Sequence, residues 1–178
     1  MQRFMREKRI YADAAASTPL HPRVIKRMSA LMGVYGNPGA LHREALMASE
    51  ELERARREVA ETIGAHPDEI IFTGSGTESN NLAIMGVLTA DQGSTLVQTK
   101  VEPWSAVTLP IEHASVLEPL AHSGLPPARA GGAQAGAKII QVPVGENGVV
   151  SPKDVYEAIM DDTVLVSIQM INSEIGTI

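Results

Sequence analysis

The sequence predicts an α/β fold in which helices flank a mostly parallel sheet. Two observations lead to this prediction. From residue 69 onward, short apolar runs of strand length alternate with helical patterns. The run "TVLVSIQM" at 163–170 is almost continuously apolar, which is typical of a strand buried on both faces. Strands that alternate with helices form βαβ units with right-handed crossovers, and such units build a parallel sheet.

Length and composition limit the classes of protein to consider. The chain has 178 residues, about one domain, with 44% hydrophobic and 20% charged residues. Its formal net charge of −6 argues against a nucleic-acid partner. It has no cysteine, which excludes disulfides and thiolate ligands within this chain and is compatible with a cytoplasmic location. No apolar run approaches the roughly 18 residues of a membrane span, so no membrane partner is predicted.

The first third of the sequence predicts two helices after an extended segment at 10–20. Pro22 stands at a favourable first helical position, and the apolar residues that follow share one face. The stretch 36–39, Gly-Asn-Pro-Gly, predicts a turn. A second helix is predicted over 43–63, because apolar residues recur there at steps of three or four and Gly64 suits its end. The pairs Glu50–Arg54 and Glu53–Arg57 are expected to support it.

The remaining sequence alternates between strand and helix patterns. Ser151 as N-cap and Pro152 as first residue predict the start of one helix. The other predicted helices span 77–88 and 114–122, and the stretch 123–137 is predicted to be a loop. Strands or strand-like runs are predicted at 69–73, 95–99, 105–111, 138–142 and 163–170.

The stretch "GSGTES" at 74–79 joins the strand predicted at 69–73 to the next helix. It lacks the third glycine of the dinucleotide fingerprint and the lysine of the P-loop. Gly76 allows close approach of the backbone, and the N–H groups of Gly76 and Thr77 open a helix at its positive end. These features suit a single phosphate ester. A plain strand-to-helix turn capped by Thr or Ser explains the stretch equally well.

Two further polar segments follow strands and therefore lie at the same edge of the sheet. His113 precedes the helix at 114–122 and can stack on a flat ring or shuttle a proton, although a structural histidine is the alternative. Asn172, Ser173 and Glu174 follow the last strand and can bond a ring oxygen, or form an Asx-type turn instead. No metal site is predicted, because the histidine and acidic residues lack a convincing ligand spacing.

A phosphate, a flat ring and a ring oxygen together suggest pyridoxal phosphate. The sequence resembles the amino-terminal part of cysteine desulfurases, in the class V aminotransferase family of fold-type I pyridoxal-phosphate enzymes. The resemblance is carried by "YADAAASTPLHPRV", "GNPGALH", "DEIIFTGSGTESNNLAI", "IEHASVLEPL" and "DDTVLVSIQMINSEIGTI", in the family's order and approximate spacing. It implies an incomplete pyridoxal-phosphate-transferase large domain. Residues 1–35 are expected to form an arm and first helix, and residues 36–178 part of the cofactor-binding large domain.

The resemblance also implies roles for individual residues. Gly76 and Thr77 would bind the cofactor phosphate, and His113 would stack on the pyridine ring and assist proton transfer as the catalytic residue. Ser173 stands where the family usually has an asparagine that bonds the ring hydroxyl, and Asn172 is the alternative for that contact.

The implied activity is removal of sulfur from L-cysteine, giving alanine and a persulfide for iron–sulfur cluster assembly. The family's Schiff-base lysine, pyridine-pairing aspartate and catalytic cysteine correspond to positions after Ile178, so the chain alone is expected to be inactive. A sulfur acceptor or iron–sulfur scaffold would be a partner, and the full-length protein is expected to be a homodimer. Alternatives are a selenocysteine lyase, another class V aminotransferase, or a non-catalytic fragment that serves in assembly.

Overall fold

The computed structural model describes residues 10–89, 105–123 and 138–178. The described helices are α1 (Pro22–Leu31), α2 (Arg43–Ile63), α3 (Gly76–Thr89), α4 (Ala114–His122) and α5 (Pro152–Ala158). The described strands are β1 (Ser105–Thr108), β2 (Lys138–Gln141) and β3 (Thr163–Val166). The chain divides into two compact units, one up to Phe72 and one from Thr73 onward. The division expected at residue 35 does not coincide with this boundary and stays a prediction.

The first unit contains α1 and α2, and α2 has the bounds that the sequence predicts. The His42 side chain accepts from the Ala45 N–H at 3.3 Å at its start. Gly64 ends it in the left-handed conformation, with φ of 67°. The expected ion pairs at a spacing of four are wrong, because Arg54 pairs with Glu51 and Arg56 with Glu53 instead. Residues three apart on a helix are neighbours as well, so the sequence could not decide between these partners.

The strand predicted at 69–73 is wrong. Pro67–Glu69 form a short 3-10 helix, and the following residues to Thr73 form no strand. None of the described strands pairs with this segment. Instead, Arg56 holds it from α2, donating to the Ile70 carbonyl and placing its guanidinium 5.1 Å from the centre of the Phe72 ring.

The second unit contains a parallel sheet, as predicted, and its described strands have the order β2–β1–β3. Ser105 to Thr108 of β1 pair in continuous register with Lys138 to Gln141 of β2. On the other side, the pairing of β1 with β3 shifts register between Ser105 and Ala106. Every residue of β1 is buried, which is the environment of a central strand in a parallel sheet.

Successive residues of β1 face two different hydrophobic clusters, as the pleat of a strand requires. Ala106 packs with residues of α3 and α4, namely Ile84, Leu88, Val116 and Leu120. Val107 packs with Leu109 and Val142, and Val155 and Ala158 of α5 lie against that second cluster. Helices therefore cover both faces of the sheet, in agreement with the predicted α/β class.

The last strand is shorter and less buried than the sequence predicts. β3 ends at Val166, and Val164 and Val166 are 41% and 44% exposed. Within the described residues, β3 is one of the two outer strands of the sheet, and only one of its faces contacts the core. A continuous apolar run is therefore not enough to establish burial on both faces. The predicted strand at 95–99 and the predicted loop from residue 124 onward lie outside the described residues.

Replacement of Gly36 tests how much its backbone conformation contributes to the stability of the first unit. Its φ of +135° is rare for other residues, and an added Cβ would lie 2.7 Å from the Glu44 backbone oxygen. We expect Gly36→Ala to lower the free energy of unfolding by about 1–3 kcal/mol. Gly33→Ala is the matched control, because no atom lies within 4 Å of a Cβ there. Urea unfolding of both variants checks this, and equal losses of stability would contradict it.

Candidate functional site

The carboxyl ends of β1 and β3 lead into two segments that together line a cavity of about 450 Å³. Residues 110–114 form one side, after β1, and Gln169 with residues 172–175 forms the other, after β3. The cavity therefore lies beyond the carboxyl ends of neighbouring parallel strands, where ligand sites of open α/β sheets occur. His113, Asn172 and Ser173 all line it, so the structure brings these three predicted residues together.

Asn172 is buried, and its side-chain amide is used within the protein. Its Oδ1 accepts from the N–H groups of Glu174 and Ile175 at 2.8 and 3.0 Å. Its Nδ2 donates to the Ile111 carbonyl at 3.1 Å. These bonds form the Asx-type turn that the sequence allowed, and they also tie it to the segment after β1. Ser173 is exposed beside it. Binding of a ligand by either residue stays a prediction.

Glu112 is a site residue that the sequence reasoning missed. It is only 8% exposed, and its Oε1 accepts from the Gln169 N–H at 2.6 Å. Burial raises the pKa of the Glu112 carboxyl above its ordinary value, and the bond from Gln169 opposes this rise. The carboxylate thus joins the segments after β1 and β3. Its position directly after an apolar run was the available signal, because a charge at the end of a buried strand needs a partner.

His113 is exposed, lines the cavity and caps α4. Its Nδ1 accepts from the Ser115 N–H at 3.0 Å and lies 2.7 Å from the Ser115 hydroxyl oxygen. This capping bond explains why α4 begins at Ala114, as predicted. Because the bond is made through Nδ1, it also fixes the orientation of the ring at the edge of the cavity. The histidine therefore has a structural role in addition to any chemical one.

Gly76 and Thr77 form the start of α3, as the sequence predicts. The Ser75 hydroxyl accepts from the Glu78 N–H at 3.1 Å, and the Glu78 carboxylate accepts from the Gly74 N–H at 2.7 Å. This capping leaves the N–H groups of Gly76 and Thr77 without an acceptor in the described part of the chain. A Cβ added at Gly76 would meet no atom within 4 Å, so there is open space beside it. An anion fits such a helix start.

Gly76 and Thr77 do not line the 450 Å³ cavity, but a hydrogen bond joins the helix they open to the helix that His113 caps. Asn80 of α3 donates from Nδ2 to the Ser115 hydroxyl at 2.8 Å. Asn80 lies four residues after Gly76, which corresponds to a rise of about 6 Å along the helix. The starts of α3 and α4 are therefore neighbours at one edge of the sheet.

The described residues contain neither a cluster of metal ligands nor a helix that could span a membrane. Within residues 10–89, 105–123 and 138–178, no three His, Cys, Asp or Glu side chains are grouped so that they could hold a metal ion. In the same ranges, no helix is both long and apolar enough to cross a membrane.

Glu112 gives a prediction about stability and pH. Its pKa is raised in the folded protein, so the folded state keeps the proton to a higher pH than the unfolded state. Its contribution to the free energy of unfolding therefore falls as pH rises from about the ordinary value of 4.5 through the folded pKa. Glu112→Gln keeps an acceptor for the Gln169 N–H and removes the pH-dependent fall in the free energy of unfolding. We expect its stability relative to the wild type to increase with pH over that window.

Urea unfolding at several pH values measures this effect. Glu146→Gln, an exposed position, is the matched control and should leave the pH dependence unchanged. Glu112→Leu should lower the free energy of unfolding by about 1–3 kcal/mol, because it leaves the Gln169 N–H without its acceptor. The same pH profile for Glu112→Gln and Glu146→Gln would contradict the account of Glu112.

Comparison with known proteins gives relatives along nearly the whole chain. Cysteine desulfurase IscS of Dictyoglomus turgidum is 39% identical over 173 residues, which cover 97% of this chain and 40% of that protein. The mitosomal cysteine desulfurase of Encephalitozoon cuniculi is 40% identical over 173 residues, or 96% of this chain and 37% of that protein. The chain therefore spans about two fifths of the length of these curated relatives and matches their amino-terminal part.

Solved structures agree with this similarity. A NifS-like protein superposes with a TM-score of 0.79 at 33% identity, covering 96% of this chain and 42% of its own. SspA in complex with cysteine superposes with a TM-score of 0.73 at 32% identity, covering 92% of this chain and 43% of its own. The model of the aminotransferase class-V family matches residues 10–178. The chain belongs to the class-V aminotransferase family, and its fold is that of the fold-type I pyridoxal-phosphate enzymes.

Proposed function

We propose that the chain is the amino-terminal part of the cofactor domain of a cysteine desulfurase. In the whole protein, it would help to remove sulfur from L-cysteine, leaving alanine and an enzyme-bound persulfide. The observation that carries this proposal is the pairing of two N–H groups at the start of α3, those of Gly76 and Thr77, with a neighbouring cavity lined by His113; neither N–H has an acceptor among the described residues. Relatives named as cysteine desulfurases support the choice of reaction within the family.

The start of α3 fits the phosphate of pyridoxal phosphate. Two backbone N–H groups that have no acceptor among the described residues and the hydroxyl of exposed Thr77 are available to an anion there. The helix adds a positive partial charge of about half a unit at this end. Glu78 occupies the Gly74 N–H, so the phosphate would be held by Gly76 and Thr77 and not by the loop before them.

The neighbouring cavity fits a flat, polar ring. Its volume of about 450 Å³ lies in the ordinary range for small-molecule sites. His113 at its edge offers an imidazole face for stacking, and exposed Ser173 offers a hydroxyl for the ring oxygen. Asn172 would contribute indirectly, because its amide holds the turn that carries Ser173. A serine reaches less far than the asparagine usual in the family, so a bridging water would complete this contact.

Bound pyridoxal phosphate would supply a ring that withdraws electrons from the amino acid joined to it. The residues of this chain would bind and orient that ring. Gly76 and Thr77 would fix its phosphate, and His113 would cover one face and stand within reach of a transferred proton. Among the 178 residues there is no cysteine, so the persulfide would form on a residue that this chain does not supply.

The proposal extends to partners and location. We infer a homodimer for the whole protein, a cytoplasmic location, and a sulfur-acceptor or iron–sulfur scaffold protein as recipient of the sulfur. The relative from Encephalitozoon is described as mitosomal, so location differs within the family. Fractionation of the native cells and the mass of the native complex are the direct measurements.

Removal of the Thr77 hydroxyl tests the phosphate site. We expect Thr77→Val to weaken binding of pyridoxal phosphate to the chain about fivefold, the factor that one hydrogen bond of about 1 kcal/mol supplies. Pyridoxal without phosphate should bind more weakly and should not distinguish the variant from the wild type. Equilibrium dialysis measures both ligands. Thr62→Val on α2, whose hydroxyl donates to the Glu58 carbonyl, is the matched control. Equal affinity in all three proteins would place the phosphate elsewhere.

Sulfur release tests the reaction itself. With pyridoxal phosphate and a reductant, the 178-residue chain should release no sulfide from L-cysteine, because it has no cysteine to carry the persulfide. The protein extended to the length of its relatives should release sulfide and form alanine in equal amounts. Release from the chain alone would overturn the expected division of roles. An extended protein that acts only on L-selenocysteine, or only exchanges amino groups, would identify one of the related reactions instead.

A further inference from the structure

A chain of hydrogen bonds leads from α3 to the ring of His113. Asn80 Nδ2 donates to the Ser115 hydroxyl oxygen at 2.8 Å, and that oxygen lies 2.7 Å from His113 Nδ1. Ser115 is only 7% exposed, so its hydroxyl exchanges these partners for water with difficulty. The backbone N–H of Ser115 donates to the same ring nitrogen at 3.0 Å.

The direction of these bonds fixes the position of the ring proton. A backbone N–H can only donate, so His113 Nδ1 must accept with a lone pair. Asn80 Nδ2 can also only donate, so the Ser115 oxygen accepts from it and turns its own proton toward Nδ1. Two donors thus converge on Nδ1. The neutral ring that satisfies both carries its proton on Nε2.

We propose that Asn80 and Ser115 are positioning residues that hold neutral His113 with its proton on Nε2. The described residues give Nε2 no hydrogen-bond partner, so its N–H is the group that the ring offers to a ligand. A neutral His113 therefore donates to an acceptor atom in the cavity and does not remove a proton from it. That the ligand is pyridoxal phosphate rests on the proposed function, whereas the position of the proton does not.

Asparagine-to-aspartate changes at two adjacent residues separate this role from a general effect of charge. Asp at position 80 can only accept, so it would take the Ser115 proton and turn the lone pairs of that oxygen toward Nδ1. Asn80→Asp should therefore raise the ratio of Nδ1–H to Nε2–H rings about fivefold, the factor of one hydrogen bond of about 1 kcal/mol. Asn81→Asp adds the same charge one residue on, where the side chain bonds the Thr77 carbonyl, and should leave the ratio unchanged.

The measurement is the nitrogen chemical shift of the ring in the 178-residue chain labelled with [15N]histidine. It is made without ligand at about pH 8.5, well above the ordinary pKa of a histidine side chain. His113→Gln identifies the resonances among the five histidines. Backbone amide spectra check that each variant is folded. Because no cofactor is added, failure here is distinct from failure of pyridoxal phosphate to bind.

A second pair of variants keeps the test valid if Asn80→Asp does not fold. Ser115→Ala removes the hydroxyl donor and should raise the share of Nδ1–H rings, although less than Asn80→Asp, because the backbone N–H remains. Ser115→Thr keeps the hydroxyl and should match the wild type. The proposal is overturned if wild-type His113 carries its proton on Nδ1. It is also overturned if Asn80→Asp and Asn81→Asp shift the ratio equally, or if Ser115→Ala leaves it unchanged.

Discussion

The placement of β1 at the centre of the sheet is the constraint on which the site depends. Hydrogen bonds to β2 on one side and β3 on the other fix its register. Ala106 and Val107 are fully buried on opposite faces, so the strand cannot slide or rotate without exposing apolar surface to water. Residues 109–115 follow this strand directly in the chain. The positions of Glu112, His113 and Ser115 therefore follow from packing of the sheet and not from the loop itself.

Features with local causes could be predicted from the sequence. α2 and α4 begin and end where predicted, because Gly64 and His113 make their caps within a few residues of each helix. Features that depend on partners distant in the sequence could not be predicted from it. The strand predicted at 69–73 has the right residues but no partner strand among those described. β3 has an apolar sequence on both faces, yet its burial depends on which elements pack against it.

The candidate site also has some features that the sequence could predict and others that depend on distant partners. His113 and Ser173 could be found because each follows a strand, and strand ends of a parallel sheet share one edge. The contacts that hold them could not be found, since Asn80 and Ser115 are 35 residues apart and Glu112 and Gln169 are 57 apart. No local pattern relates such residues. The family's motifs identified the positions of the site residues, whereas the hydrogen bonds that support those residues are visible only in the three-dimensional structure.

Charge at this edge is the point where the structure adds most to the sequence. An anionic cofactor is expected beside an acidic chain with net charge −6 and beside the carboxyls of Glu78 and Glu112. A different interaction offsets the charge of each carboxyl. Glu78 accepts from the Gly74 N–H at the positive end of α3, and burial of Glu112 favours its uncharged form. Net charge therefore does not decide anion binding here. In the proposed site, the N–H groups of Gly76 and Thr77 would provide the local positive field, and a bound phosphate would share that field with Glu78.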